Sequence, residues 1–261
     1  MRPTAPPARR RFGQNFLVDR NAAARIVAAL DPAEDERVVE IGPGRGALTQ
    51  ALMERLPRLV AIEIDRDLAA ELPRLFPGDR LEVVERDALD VPFASFGPAV
   101  TLVGNLPYNI SKPFAMKMVR ERAAVRRAVL MYQREVAARL TAAPGTSAYG
   151  PLTVLAGEAF TVERLFDLPP GAFRPRPKVV STVTRWTPRA EPRLPDLEPL
   201  AAVLRAAFAH RRQTLLKNLR GALAGGEEEA RALLGRAGLA GSVRAEAVPP
   251  EGFVALARLW R

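Results

Sequence analysis

The chain has 261 residues, with 39 Lys and Arg against 29 Asp and Glu, a net charge of +10, and 48% hydrophobic residues. This describes a folded chain of one large domain, or a large and a small one, and excludes a disordered or fibrous one. With no cysteine and a single histidine, His210, disulfides, iron–sulfur clusters and Cys/His zinc sites are excluded, and His210, in an Arg-rich stretch without a neighbouring acid, is not expected to activate a nucleophile. Chemistry must then come from a cofactor or from carboxylates.

Residues 1–11 hold Arg2, Arg9, Arg10 and Arg11 with three prolines and no acid, which reads as a basic arm that orders on a polyanionic partner, not as an apolar signal segment. Ala22 to Leu30 is helical in pattern. Residues 37–41 form a β-branched strand that runs into Gly42-Pro43-Gly44-Arg45-Gly46, and a helix follows from Gly46 to Leu56. Strand and helix then alternate: strand 59–64, helix 66–76, strand 81–85, strand 99–104, helix 113–122, strand 128–133 and helix 134–140. Such alternation predicts parallel crossovers and a doubly wound α/β sheet with ligands beyond the strands' carboxyl ends. Two β-rich segments, 153–166 and 179–186, are expected to complete the sheet antiparallel. The longest uncharged run, 140–157, is broken by Pro144, Pro151 and three glycines, so no membrane span is expected. Residues 187–199 contain four prolines, so a boundary is placed near Pro188 to Pro195. The organisation expected is an arm over 1–11, a catalytic domain over 12–187, and a linker with a small all-helical domain over 188–261.

The glycine loop lies where a strand hands over to a helix, allowing a tight turn and close ligand approach. Gly42, Gly44 and Ala47 also fit a loose dinucleotide pattern, which keeps NAD in play. Glu40 tips the balance, because a carboxylate there repels a pyrophosphate and favours a cationic ligand such as S-adenosylmethionine. Glu63, 21 residues beyond Gly42 at the end of the next strand, suits the two hydroxyls of a ribose. Asp87, after the third strand, is placed to accept from an adenine amino group.

Asn105-Leu106-Pro107-Tyr108 closes the fourth strand. An exocyclic adenine nitrogen has its lone pair delocalised into the ring, so an enzyme must fix its geometry. The Asn105 amide oxygen and a carbonyl at Leu106 or Pro107 suit its two N–H groups, and Tyr108 suits stacking on a flipped base. In the C-terminal part, Leu204, Phe208, Leu215, Leu219 and Leu223 share a helical face only if the helix breaks near His210. Arg211, Arg212, Lys217 and Arg220, aided by Arg205, then form a basic surface, against the plain alternative of a solvated face.

These blocks, together with Arg11-Phe12-Gly13-Gln14-Asn15-Phe16-Leu17, Glu63-Ile64-Asp65 and Phe173-Arg174-Pro175-Arg176-Pro177-Lys178-Val179, resemble in order and spacing the signature of the ribosomal RNA adenine N6-dimethyltransferases. The bacterial small-subunit, kasugamycin-resistance members are the nearest match. The resemblance runs from Arg10 into the C-terminal helices. It implies a Rossmann-like class I methyltransferase sheet and S-adenosylmethionine as cofactor, held by Gln14, Asn15, Leu17, Glu40, Gly42, Gly44, Glu63, Asp87 and Asn105. Asn105 to Tyr108 would grip the target adenine, with Phe173 as a second aromatic clamp, and Arg9, Arg10, Arg11, Lys178, Arg211, Arg212, Lys217 and Arg220 would contact RNA. The partner implied is small-subunit rRNA in an immature 30S particle, for a cytoplasmic monomer that uses neither membrane nor metal. Two rivals share the motifs: a macrolide-resistance methyltransferase of large-subunit rRNA, and a non-catalytic ribosome-assembly factor. Leu106, where the former commonly has isoleucine, and Arg211-Arg212-Gln213-Thr214-Leu215 favour the small subunit.

Overall fold

In the computed structural model, residues 14–191 and 193–260 are described. Arg9, Arg10 and Arg11, the arm, Phe12 and Gly13 lie outside them. Two compact units emerge. Among the described residues the first takes those up to Ala137 together with Val162–Pro188, and the second takes Ala138–Thr161 and everything from Arg189 onward.

The first unit begins with the short strand β1 (Phe16–Leu17) and helix α1 (Arg20–Leu30), which starts where the Asp19 carboxylate accepts from the Asn21 and Ala22 amides. Next come β2 (Val38–Ile41), α2 (Ala47–Met53), β3 (Leu59–Glu63), α3 (Arg66–Leu75), β4 (Leu81–Glu85), β5 (Val100–Asn105), α4 (Ser111–Arg120), β6 (Val125–Gln133) and α5 (Arg134–Leu140). Helix α6 (Pro151–Ala159) leads to β7 (Phe160–Leu168), β8 (Phe173–Arg174) and β9 (Ser181–Pro188). One sheet has the order β4-β3-β2-β5-β6-β9-β7, while β1 and β8 pair separately. Neighbouring strands from β4 through β6 are parallel, and β9 lies antiparallel on β6. This is the doubly wound sheet the alternation predicts.

Strand order reverses between β2 and β5, because chain continuity runs outward from β2 through β3 to β4 before crossing back. Their registered ends, Ile41 opposite Ile62 and Gly104, place the glycine loop, Glu63 and Asn105 around one crevice. Gly104 makes the close approach feasible: a Cβ there would stand 2.5 Å from the Ile41 carbonyl oxygen. One face of the sheet is sealed by Ile26, Val27 and Leu30 of α1 and Leu48 and Leu52 of α2, which pack with Val103, Val129, Met131 and Val183.

One expected element differs. Residues 153–159, which read as strand, belong to α6: Gly150 and Pro151 open a helix, and Thr153, Val154, Leu155, Ala156 and Ala159 turn inward. The Thr153 hydroxyl, donating to the Arg139 carbonyl and accepting from the Gly150 amide, gives this β-branched residue a reason to sit there. The segment 138–161, expected in the catalytic domain, groups with the second unit.

Within that second unit, α7 (Glu198–Ala207) is followed by turns over residues 208–213, then α8 (Leu215–Arg220), α9 (Gly226–Arg236) and α10 (Pro250–Leu259). The break near His210 is therefore present. Asn218, buried, fastens it by donating to the Ala207 and His210 carbonyls and accepting from the His210 amide. Arg193 bridges the buried Glu158 and the exposed Glu251. Among the described residues no helix is long and apolar enough to cross a membrane, and no group of three His, Cys, Asp or Glu is arranged to hold a metal.

Candidate active site

The crevice is built on backbone that bends where only glycine bends easily. Gly42 and Gly44 have φ of 67° and 58°, in the left-handed region that costs other residues energy. At Gly44 a Cβ would also stand 2.8 Å from the Phe16 ring, so β1 closes directly over the loop. The Gly44 amide donates to Glu63 Oε2 at 3.1 Å, and the Asp65 amide to Glu63 Oε1 at 2.9 Å. Glu63 is nearly buried. Burial pushes its carboxyl up, opposed by the hydrogen bonds from the Asp65 and Gly44 amides.

Beyond Glu63 the crevice widens into a space lined by Ile64, Asp87, Ala88, Pro107 and Ile110. The Asp87 carboxylate turns back to take the Leu89 amide at 2.8 Å. Toward β1 the walls are Gln14, Asn15, Phe16 and Asn105. Gln14 reaches the crevice through Asp65, to which its side-chain amide donates at 3.0 Å. Leu17 turns into the core yet borders a recess that it shares with Glu40, Gly42, Gly44 and Asn105.

Glu40 is not the open counter-charge that the sequence suggests. It is 1% exposed, its Oε2 accepts from the Thr49 hydroxyl at 2.7 Å, and burial raises its pKa to about 8. Burial thus favours its protonated form at neutral pH. Thr49 carries no local sequence signal, being one more residue of an amphipathic turn.

At the end of β5, the Asn105 side-chain nitrogen donates to the Asn15 carbonyl at 2.8 Å, which turns its oxygen the other way. The Pro107 carbonyl already accepts from the Ile110 amide and the Ser111 hydroxyl. Of the two carbonyls considered in the sequence, Leu106 is thus the one left for a ligand. Tyr108 is half-buried with its hydroxyl 3.3 Å from Ser181 Oγ; burial raises its pKa against that hydrogen bond, so it stays a neutral phenol. Asn15 and Ser181 as the supports of these two side chains have no signal in the sequence, since the contacts span 90 and 73 residues.

Phe173 is a correction. It is 1% exposed, pairs with Leu17 across the β1–β8 ladder and packs in the core, so its ring is not presented to a stacked base. Arg211 is another. Its guanidinium donates to Glu246, to the Ser147 carbonyl at 2.6 Å and to the Tyr149 carbonyl at 3.3 Å, tying down the loop before α6. Arg220 pairs with Glu227 at 3.1 Å. Arg212, Lys217 and, in the first unit, Lys178 are exposed and form no ion pair among the described residues.

The donor set fits a nucleoside attached to a cationic chain. Glu63 and Asp87 are acceptors for hydroxyl and amino groups, Ile64 and Ile110 are apolar walls for a flat ring, and Glu40 is a buried carboxyl with no ion pair among the described residues.

The ribosomal RNA adenine dimethylase family profile matches residues 6–260. The chain belongs to that family. It is 45% identical, over 97% of its own length and 94% of the other, to the ribosomal RNA small subunit methyltransferase A of Bordetella bronchiseptica. It is 49% identical to that of Aromatoleum aromaticum over 82% of this chain and 81% of the other. Among solved structures, the 23S rRNA methyltransferase ErmE superposes with a TM-score of 0.70 at 29% identity, covering 94% of this chain and 98% of that one. The sheet is accordingly a Rossmann-like class I methyltransferase sheet, and the dimethylase's methyl donor is S-adenosylmethionine.

Proposed function

We infer that this dimethylase transfers methyl groups from S-adenosylmethionine to N6 of adenosine in small-subunit rRNA. The targets proposed are two adjacent adenosines near the 3′ end, in an immature 30S particle. The observation that carries the chemistry is the orientation of Asn105, whose amide oxygen faces away from the Asn15 carbonyl that holds its nitrogen. That oxygen and the Leu106 carbonyl accept the two N6–H bonds, drawing the nitrogen out of conjugation and aiming its lone pair. Tyr108 supplies the stacking face for the flipped base. The donor supplies an electrophilic methyl, so no base is needed before the new C–N bond forms, and the proton leaves afterwards. A site that grips by geometry accepts the monomethylated amine again through its remaining N–H.

Glu63 would hold the ribose and Asp87 the adenine amine of the cofactor, with Gly42 and Gly44 leaving room for its methionyl chain. Arg212, Lys217 and Lys178 would meet phosphates. The large-subunit reading is weakened by the drop in identity from 45–49% for small-subunit relatives to 29% for ErmE. The test is methyl transfer to immature small subunits, naked small-subunit rRNA and large-subunit rRNA, with mass spectrometry of nuclease fragments. Dimethyladenosine at two neighbouring positions of the small subunit is expected. Methyl groups found only on large-subunit RNA would overturn the reading.

A further inference from the structure

Glu40 is the buried ionisable group of the crevice to which the transfer chemistry gives no task. It lies on the central strand β2, lines the recess with Phe16, Gly42, Gly44 and Asn105, and is held by the Thr49 hydroxyl. The groups that face it come from every element around the recess. From β3 there is Glu63, a like charge. From the glycine turn there is Arg45, whose guanidinium lies over the Phe16 ring, 4.6 Å from its centroid. Helix α2 offers Thr49 and β5 offers Asn105, both neutral, while β1 offers only the apolar Phe16 and Leu17. Among the described residues no cation forms an ion pair with Glu40. Burial and Glu63 disfavour its charged form, against two neutral hydrogen bonds from Thr49, one from the side chain and one from the backbone.

Resting on the cofactor reading above, we propose that Glu40, steadied by Thr49, lets the crevice distinguish the cationic methyl donor from the neutral spent product, releasing a proton as the donor binds and regaining it with the product. The charge balance is simple. The donor carries an ammonium, a carboxylate and a sulfonium. In the transfer the sulfur keeps the electron pair of the breaking S–C bond, N6 forms the C–N bond with its lone pair, and the amine sheds a proton to solvent. The sulfur is then neutral, and a charged Glu40 would stand buried without a counter-charge. Reprotonation from solvent relieves this and leaves a neutral pocket for a neutral sulfur. Donor affinity therefore rises with pH while Glu40 is still protonated in the empty protein, by up to about tenfold per pH unit for one proton released. Product affinity does not follow.

The test is titration calorimetry of the full chain at pH 7 in phosphate and in Tris, whose ionisation enthalpies differ, with S-adenosylmethionine and S-adenosylhomocysteine. Wild type and Glu40→Gln are compared, so that the ligand's own α-amine cancels in the difference. Wild type is expected to release up to one proton more than Glu40→Gln on binding the donor, and no more on binding the product. The donor-to-product affinity ratio should climb toward tenfold between pH 6.5 and 7.5 in wild type and stay flat in Glu40→Gln. Thr49→Val, which removes the larger of the two Thr49 bonds favouring the charged form, should move the wild-type pH dependence upward, and it carries the test if Glu40→Gln does not fold. Equal proton counts in wild type and Glu40→Gln, equal release with both ligands, or an unmoved profile in Thr49→Val would overturn the proposal. Absence of donor binding by wild type would overturn the cofactor reading itself, and this one with it.

Discussion

Asn105 donates its side-chain N–H to the Asn15 carbonyl at 2.8 Å, so the segment that leads into β1 sets which end of this amide faces the crevice. A free amide would present donor or acceptor. Tied in this way it presents the acceptor, which is what an amino group to be methylated requires.

Asn105→Ala should therefore slow single-turnover methyl transfer by about 100-fold or more while changing RNA affinity little, as expected when positioning is removed. Asn105→Asp should fare no better, because it sets a carboxylate oxygen against the Asn15 carbonyl. Equal losses in rate and affinity, read by rapid quench and filter binding, would make Asn105 a binding residue only.

Gly44→Ala tests the closure of β1 over the loop. A side chain at φ 58° is strained, and its Cβ would press on Phe16 at 2.8 Å. A loss of roughly 1–3 kcal/mol of stability is expected, together with weaker binding of the methyl donor. A melting temperature equal to wild type would show that β1 yields without cost.

What is legible in the sequence and what is not divides along the range of the interactions. The β-branched run at Val38 and Val39, the glycine turn and the acids at strand ends are local signals, and β2, β3 and β5 bring them together as their alternation with helices predicts. Helix α6 escapes such a reading because Thr153 and Val154 favour strands locally, while burial of Leu155, Ala156 and Ala159 and the Arg139 carbonyl decide otherwise. Phe173 has the local look of a clamp in a stiff proline loop, but its partner Leu17 lies 156 residues away, and pairing with β1 takes the ring inward. Arg211 sits in a run of charges that reads as solvated. Its acceptors at Ser147, Tyr149 and Glu246 are all distant in sequence.

The protonation of Glu40 has a consequence for stability without any ligand. Its pKa rises from an ordinary 4.5 to about 8 on folding. Below pH 4.5 it is neutral in both states; between 4.5 and 8 the unfolded chain sheds the proton that the folded chain keeps. Stability thus falls as pH rises through that window, by at most about 1.4 kcal/mol per unit. Glu40→Gln removes this dependence, so its melting temperature should gain on wild type steadily from pH 5 to pH 8. A constant gap across that range would show that Glu40 ionises in the folded protein as it does in the unfolded chain.

The two neighbouring arginines of the second unit should separate stability from RNA binding. Arg211 is engaged by Glu246 and by the carbonyls of the loop before α6, whereas Arg212 and Lys217 are exposed without an ion pair among the described residues. Arg211→Ala removes bonds to the exposed Ser147 carbonyl, which water can satisfy, and to the carbonyl of the buried Tyr149, which costs about 0.5–1.5 kcal/mol, and it should speed proteolysis around residues 143–150. The salt dependence of RNA binding should stay as in wild type. Arg212→Ala and Lys217→Ala should do the reverse: unchanged melting, and a slope of log affinity against log salt reduced by about 0.7–0.9 for each phosphate that is no longer neutralised. The decisive comparison is the double variant of Arg212 and Lys217. A slope matching wild type would return that face to plain solvated charge, while a reduced slope in Arg211→Ala would mean that its guanidinium leaves Glu246 for a phosphate when RNA binds.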